Sequence, residues 1–239
     1  MRVAIALFAL ASSSAAIAVA CGSETPASPT ATDGGTTPND TGAGTDTGTS
    51  DVDSGVRLSP SGCVLKTTDY IIGKKAENIP RTDGVTGTAD WIDVDGALSE
   101  DGKFASVTLA EGQESSSLRV SDFGLAIPAT AETWGIVVEL KRRAPDGGVE
   151  DSRIDVEIEG KETRFKFLKT GWPVSIVGIH HYGQAVDTWG IDLLPLDVNK
   201  PTFAAKISVK RAANTVGPVT AIVDSLKVAV HFCPVPAKK

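Results

Sequence analysis

From Phe104 onward, apolar and polar residues alternate along the chain with a period of two. Ile136, Val138 and Leu140 fall on one face of such a stretch and Glu139, Lys141 and Arg143 on the other, the pattern of a half-buried β-strand. The same alternation sets Ile154, Val156 and Ile158 against Asp155, Glu157 and Glu159, and Ala205, Ile207 and Val209 against Lys206, Ser208 and Lys210. The longest run comes last: Leu226, Val228, Val230 and Phe232 oppose Ser225, Lys227 and His231, and the run stops at Cys233 before Pro234 and Pro236. Turn chemistry separates the runs, at Asp101-Gly102, Asp146-Gly147-Gly148, Glu159-Gly160 and Val216-Gly217-Pro218. A period of 3.6 is sustained nowhere, and only Pro195 to Asn199 reads as a single helical turn. Short strands at this spacing predict an all-β domain, an antiparallel β-sandwich that is jelly-roll-like, rather than a parallel α/β sheet.

The first 55 residues follow other rules. Val3 to Ala20 is an apolar, Ala-rich run behind one positive charge, Arg2, and it closes with small residues ahead of Cys21, which predicts a cleaved signal peptide over residues 1–20. Ser12-Ser13-Ser14 and the lack of a basic flank after the run argue against a transmembrane helix. Ala18-Val19-Ala20-Cys21, followed by Gly22 and Ser23, resembles the lipobox of bacterial lipoproteins, with Ala18 where that family usually has Leu. The resemblance implies lipidation of Cys21, and several acyl chains hold a protein at a bilayer where a single chain holds it only marginally. Residues 21–55 carry no aromatic side chain and no large aliphatic beyond Val52, too little apolar surface to repay ordering. They are expected to form an acidic, disordered tether with a typical span of about 30 Å. Residues 56–239 then make the β-sandwich domain.

Charge and cysteine usage sharpen this picture. Six of the acidic residues behind the net charge of −7 lie in the tether, so the folded part sits near about −2, and the pI of about 5.0 excludes the basic footprint of a nucleic-acid binder. With Cys21 lipidated, Cys63 and Cys233 remain, one at each end of the domain. An even pair outside the cytoplasm reads as a disulfide, the alternative being two buried thiols.

The globular region also resembles a β-sandwich domain that recurs in phage structural proteins and in uncharacterised bacterial surface proteins. The likeness runs from about Trp91 to Phe232. It rests on Trp91-Ile92-Asp93-Val94-Asp95-Gly96-Ala97 followed by Asp101 and Phe104-Ala105, on Phe123-Gly124-Leu125-Ala126-Ile127-Pro128 and on Gly135 to Leu140. Asp187-Thr188-Trp189-Gly190, Pro201-Thr202-Phe203 and Val223-Asp224 complete it, and Val94 stands where the family often has Pro. The resemblance implies a fold and a habitat on surfaces and appendages, with no catalytic machinery to carry over.

Candidate chemistry is sparse. There is no Gly-x-Ser-x-Gly elbow, no His-Glu-x-x-His, no P-loop and no dinucleotide-binding glycine turn, so no cofactor is implied and the chain reads as a non-enzyme. Asp93, Asp95, Glu100 and Asp101 have the carboxylate density of a calcium loop but not the EF-hand spacing, and a solvated acidic turn is the stronger reading. His180 and His181 should face opposite sides of a strand, a poor arrangement for a shared metal. Trp91 and Trp189 belong to the family-like motifs and are expected in the core, whereas Trp172, between Gly171 and Pro173, reads as a loop residue. Trp172, His181 and Tyr182 are therefore the candidate ligand surface. The expected function is a lipid-anchored cell-envelope protein, the outer membrane being the favoured site, that displays a sandwich for carbohydrate, envelope polymer or a surface protein. The alternatives are a purely structural envelope protein and, third, a glycan-active hydrolase using two carboxylates.

Overall fold

The computed structural model describes residues 63–85, 87–159 and 163–234, all within the unit Val52–Lys239. The signal peptide, Cys21 and the tether lie outside the described residues. No helix among the described residues is long and apolar enough to cross a membrane.

Among the described residues, ten strands form two antiparallel sheets. The first sheet is built on β10 (Val219–Cys233), the longest strand, and on β6 (Glu132–Arg143), which pairs along one flank of it; β8 (Gly178–Tyr182) continues the sheet beyond β6. On the other flank of β10 lie, at successive heights, β4 (Ala105–Leu109), β2 (Ile71–Ile72) and β1 (Lys66–Thr67). The second sheet runs in the order β3 (Lys75–Ile79), β5 (Ser117–Ser121), β9 (Ala204–Arg211), β7 (Val149–Glu157). An isolated antiparallel bridge, Ile154 to Lys166, adds the segment around Lys166 outside β7. The order β4-β10-β6-β8 facing β5-β9-β7 and the Lys166 segment is jelly-roll winding, so the all-β sandwich expected from alternation is the fold observed.

Alternation fills the space between the sheets. Ile136, Val138 and Leu140 stand opposite Val230, Val228 and Leu226, and Ile154 and Leu118 flank Ile207 from either side, all fully or almost fully buried. Fully burying a side chain of this size contributes about 1.5–3 kcal/mol, and dozens of such residues make one continuous core. Two bulges shift the phase. In β10 the inward set changes from Val219, Ala221 and Val223 to Leu226, Val228 and Val230 across a register shift between Val223 and Ser225. In β7 a shift between Asp151 and Arg153 changes it from Val149 and Asp151 to Ile154 and Val156.

Among the described residues, helix is confined to two single turns. The expected turn appears as α1 (Pro195–Val198), with Pro195 at its first position, where no amide hydrogen is needed. A 3-10 turn, Val94–Ala97, occupies the stretch expected to be an acidic loop. Cys63 and Cys233 form a disulfide with a Cα–Cα distance of 6.1 Å, which joins the chain entering β1 to the end of β10.

Candidate functional site

Trp172 and Tyr182 do not lie on the surface. The β7 bulge turns Asp151 into the core, where its carboxylate accepts hydrogen bonds from Trp172 Nε1 (2.8 Å), Tyr182 Oη (2.8 Å) and the Leu168 amide (2.9 Å). Arg142 of β6 pairs with the same carboxylate, and both side chains are fully shielded from solvent. Its guanidinium carbon lies 4.8 Å from the Trp172 ring centre and 5.7 Å from that of Tyr182, so two aromatic faces replace part of the lost hydration. Burial, with Asp151 adjacent, pushes the Tyr182 phenol far above its ordinary range and keeps it a neutral donor. His180 faces the same interior, and burial together with the Arg142 charge holds its imidazole below the usual histidine value.

Of the three residues expected to form a ligand surface, only His181 reaches water. Gly178, His180 and Tyr182 share the inward face of β8, so Ile179 and His181 take the outer one. His181 Nε2 lies 3.0 Å from Glu139, and the Tyr70 ring sits 5.3 Å from its own. The loop position of Trp172 is as expected, but its amide donates to the Val149 carbonyl of β7 (3.1 Å) and its indole is buried. Trp91 and Trp189 are buried as expected, each donating its indole N–H to a backbone carbonyl, of Ser116 and Ile136 respectively.

Most charges on the outer faces of the sandwich are paired with one another. On the β10 sheet, Glu139 meets Lys227 and His181, Lys227 reaches Glu100 at 3.0 Å, and Lys141 reaches Asp224 at 2.6 Å. On the β9 sheet, Arg119 lies between Glu77 and Glu157, Lys206 between Glu157 and Asp155, and Arg81 against Asp83 and Glu114. The lysine contacts hold the carboxyls of Glu77 and Glu100 below the usual carboxylate range, the largest effect being the hydrogen bonds from Lys75 and Lys227 respectively.

One end of the molecule differs. A groove of about 750 Å³ opens beside the 3-10 turn, with Asp93, Asp95 and Asp101 at its edge, Lys103 and Ser99 among them, and Trp91 and Phe104 as its apolar walls. Asp93 adopts a left-handed backbone conformation (φ 53°) and makes no capping bond to the turn it precedes. Gly96 lets the turn pack on the strand opening, because a Cβ there would lie 2.3 Å from the Phe104 carbonyl carbon. Asn78 fastens the other wall through paired bonds to the Trp91 backbone, 2.8 and 2.9 Å. Among the described residues, Asp93 and Asp95 have no hydrogen-bond or ion-pair partner for their carboxylates, and both are exposed.

The four acidic residues considered for calcium do not converge. Glu100 turns away to Lys227, Lys141 and Ser225, and Asp101 accepts the Lys103 amide at 3.0 Å. Among the described residues, no group of three or more His, Cys, Asp or Glu is placed to hold a metal ion.

Sequence reading missed the Arg142–Asp151 pair, although half of it carried a signal: extending Ile136, Val138 and Leu140 by one step places Arg142 inside. Asp151 had none, since the bulge that turns it inward has no fixed sequence mark. The groove was visible only as an acidic turn. No protein-family model matches this chain, and no curated protein matches it either.

Proposed function

We propose that this chain is a lipid-anchored cell-envelope protein whose sandwich is a non-enzymatic binding module, with a carbohydrate or envelope polymer seated in the end groove. The observation that carries the reading is the contrast in charge pairing. Most acids of the two sheet faces are held by Lys or Arg, whereas Asp93 and Asp95 present open carboxylates at the mouth of the groove of about 750 Å³. Carboxylates spaced around apolar walls suit a polyhydroxylated ligand, whose hydroxyls donate to the acids while its C–H faces rest on Phe104. The leader, Cys21 and the tether support the envelope placement, and mass analysis of the membrane-extracted protein tests it: an unmodified Cys21 removes the anchor.

The binding test uses residues 22–239, which leave out the leader and the lipid-bearing cysteine, probed against a panel of glycans and purified envelope polymers. Binding that drops at least about tenfold in Asp93→Asn/Asp95→Asn, the loss expected when charge-assisted hydrogen bonds go, supports the groove. Binding that ignores the double substitution, or no binding at all, overturns it.

A further inference from the structure

The stretch from Thr163 to Val186 stands apart from the rest of an acidic protein. It contains Arg164, Lys166 and Lys169 and no Asp or Glu, in a chain whose net charge is −7. It also holds half of the large apolar side chains exposed among the described residues: Phe165, Phe167, Val174, Ile176, Ile179 and Val186, from 48 % open for Phe167 to 74 % for Ile176. Phe165 and Phe167 stack with centroids 6.2 Å apart.

The fold lays this stretch along one side of the sandwich. The bridge to Ile154 sets Phe165 and Phe167 at the outer margin of β7, and pairing with Lys141 sets Ile179 on β8, the outermost strand of the other sheet. Between them Val174 reaches the β6–β7 turn, 3.7 Å from where a Cβ on Gly147 would stand. Of the carboxylates bordering the stretch, Asp187 is engaged by Lys166 (2.5 Å), Asp155 by Arg153 and Lys206, Glu159 by Lys200 (3.5 Å) and Asp146 by the Thr220 amide (3.1 Å), while Glu162 precedes the stretch in sequence.

We infer that this side wall is a membrane-contact surface that docks the domain on an anionic bilayer. Scattered apolar side chains interleaved with the open cations Arg164 and Lys169 fit the boundary between headgroups and acyl chains, where rings and aliphatics sink shallowly and basic side chains reach anionic phosphates. The side wall is distinct from the end groove, and the inference does not depend on what the groove binds. On an anchored chain it would set the domain flat on the bilayer instead of at the full reach of the tether.

Sedimentation of residues 22–239 with sucrose-loaded vesicles tests it, comparing phosphatidylcholine alone with phosphatidylcholine containing phosphatidylglycerol. Binding is expected only to the anionic vesicles and should weaken with added salt. Arg164→Gln/Lys169→Gln removes two exposed cations and should lower the partition coefficient by about tenfold or more. Phe165→Ser/Phe167→Ser should lower it by about tenfold. All four side chains are exposed, so both variants should keep native near-ultraviolet circular dichroism. Absence of binding to anionic vesicles, or binding unchanged in both variants, overturns the inference; so does a loss of polymer binding in these variants without any vesicle effect. Asp93→Asn/Asp95→Asn should leave vesicle binding intact, which separates failure here from failure of the groove.

Discussion

Asp151→Asn probes the most consequential polar interaction in the domain. The native carboxylate has four donors around it: Arg142, Trp172 Nε1, Tyr182 Oη and the Leu168 amide. An amide of nearly the same volume keeps an acceptor for the ring donors but removes the charge and turns N–H donors toward others. Arg142, with no exposed side-chain surface and with Nε and Nη2 lacking partners among the described residues, is then left as an uncompensated buried cation. Breaking one side of such a pair costs about 3–5 kcal/mol. A domain of this size is stable by about 5–15 kcal/mol, so the variant should lose about a fifth of its margin or more, and its Tm should fall by about 10 °C. Urea unfolding followed by tryptophan fluorescence reads the loss, with Glu150→Gln on the neighbouring half-buried, outward-facing position, whose one ion-pair contact is long (3.9 Å to Lys210), as the control expected within about 0.5 kcal/mol. Replacing both partners, Arg142→Met/Asp151→Asn, should recover part of the stability because the uncompensated buried cation disappears while the amide oxygen still accepts from the ring donors. A loss below about 1 kcal/mol in Asp151→Asn, or a double variant weaker than the single one, would refute this account.

The Cys63–Cys233 disulfide spans 170 residues, for which chain entropy sets a ceiling of about 5 kcal/mol; reduction, or Cys63→Ser/Cys233→Ser, should lower urea stability by about 2–5 kcal/mol, and an unchanged midpoint would show that the bond adds nothing. Because burial depresses the His180 pKa, the unfolded chain binds that proton more readily. Stability should therefore be complete above the ordinary value of 6.5 and fall as pH drops below it, and His180→Asn should flatten that part of the profile. A further loss is expected below about pH 4.5, as Glu77 and Glu100, whose folded pKa values are depressed by lysine contacts, take up protons; a stability profile level down to pH 3 would contradict this. Gly96→Ala would drive a Cβ into the Phe104–Ala105 backbone, at 2.3 and 2.7 Å, costing about 1–3 kcal/mol and shifting the groove wall. Gly171→Ala, whose nearest contact is 3.9 Å away, should stay within about 0.5 kcal/mol.

The strands of this domain were legible because a two-sided sheet imposes a period of two, and a wrong face costs the burial of every residue in the run. Ile136 to Leu140, Ile154 to Ile158 and Ala205 to Val209 all point where alternation sends them. The same rule fails where a bulge inserts one residue. Asp151 lies on the inward face before the β7 bulge and Ile154 after it, so a carboxylate that reads as part of a polar face becomes the acceptor at the centre of the core. That failure explains why Trp172 and Tyr182 looked available as a ligand surface. An amphipathic ring beside loop residues reads as exposed unless the acceptor for its polar atom is known, and the acceptor here comes from a strand 21 residues away from Trp172 and 31 from Tyr182. The surface chemistry is divided in the same way. Long-range pairing neutralises most of the acids on the sheet faces, which no reading of local sequence could anticipate, and it is this pairing that gives the unpaired Asp93 and Asp95 their meaning. Asp93 and Asp95 stay open beside a groove while most acids of the sheet faces are closed against cations, so they are free to meet a ligand, and the groove at their side bounds the size of what that can be.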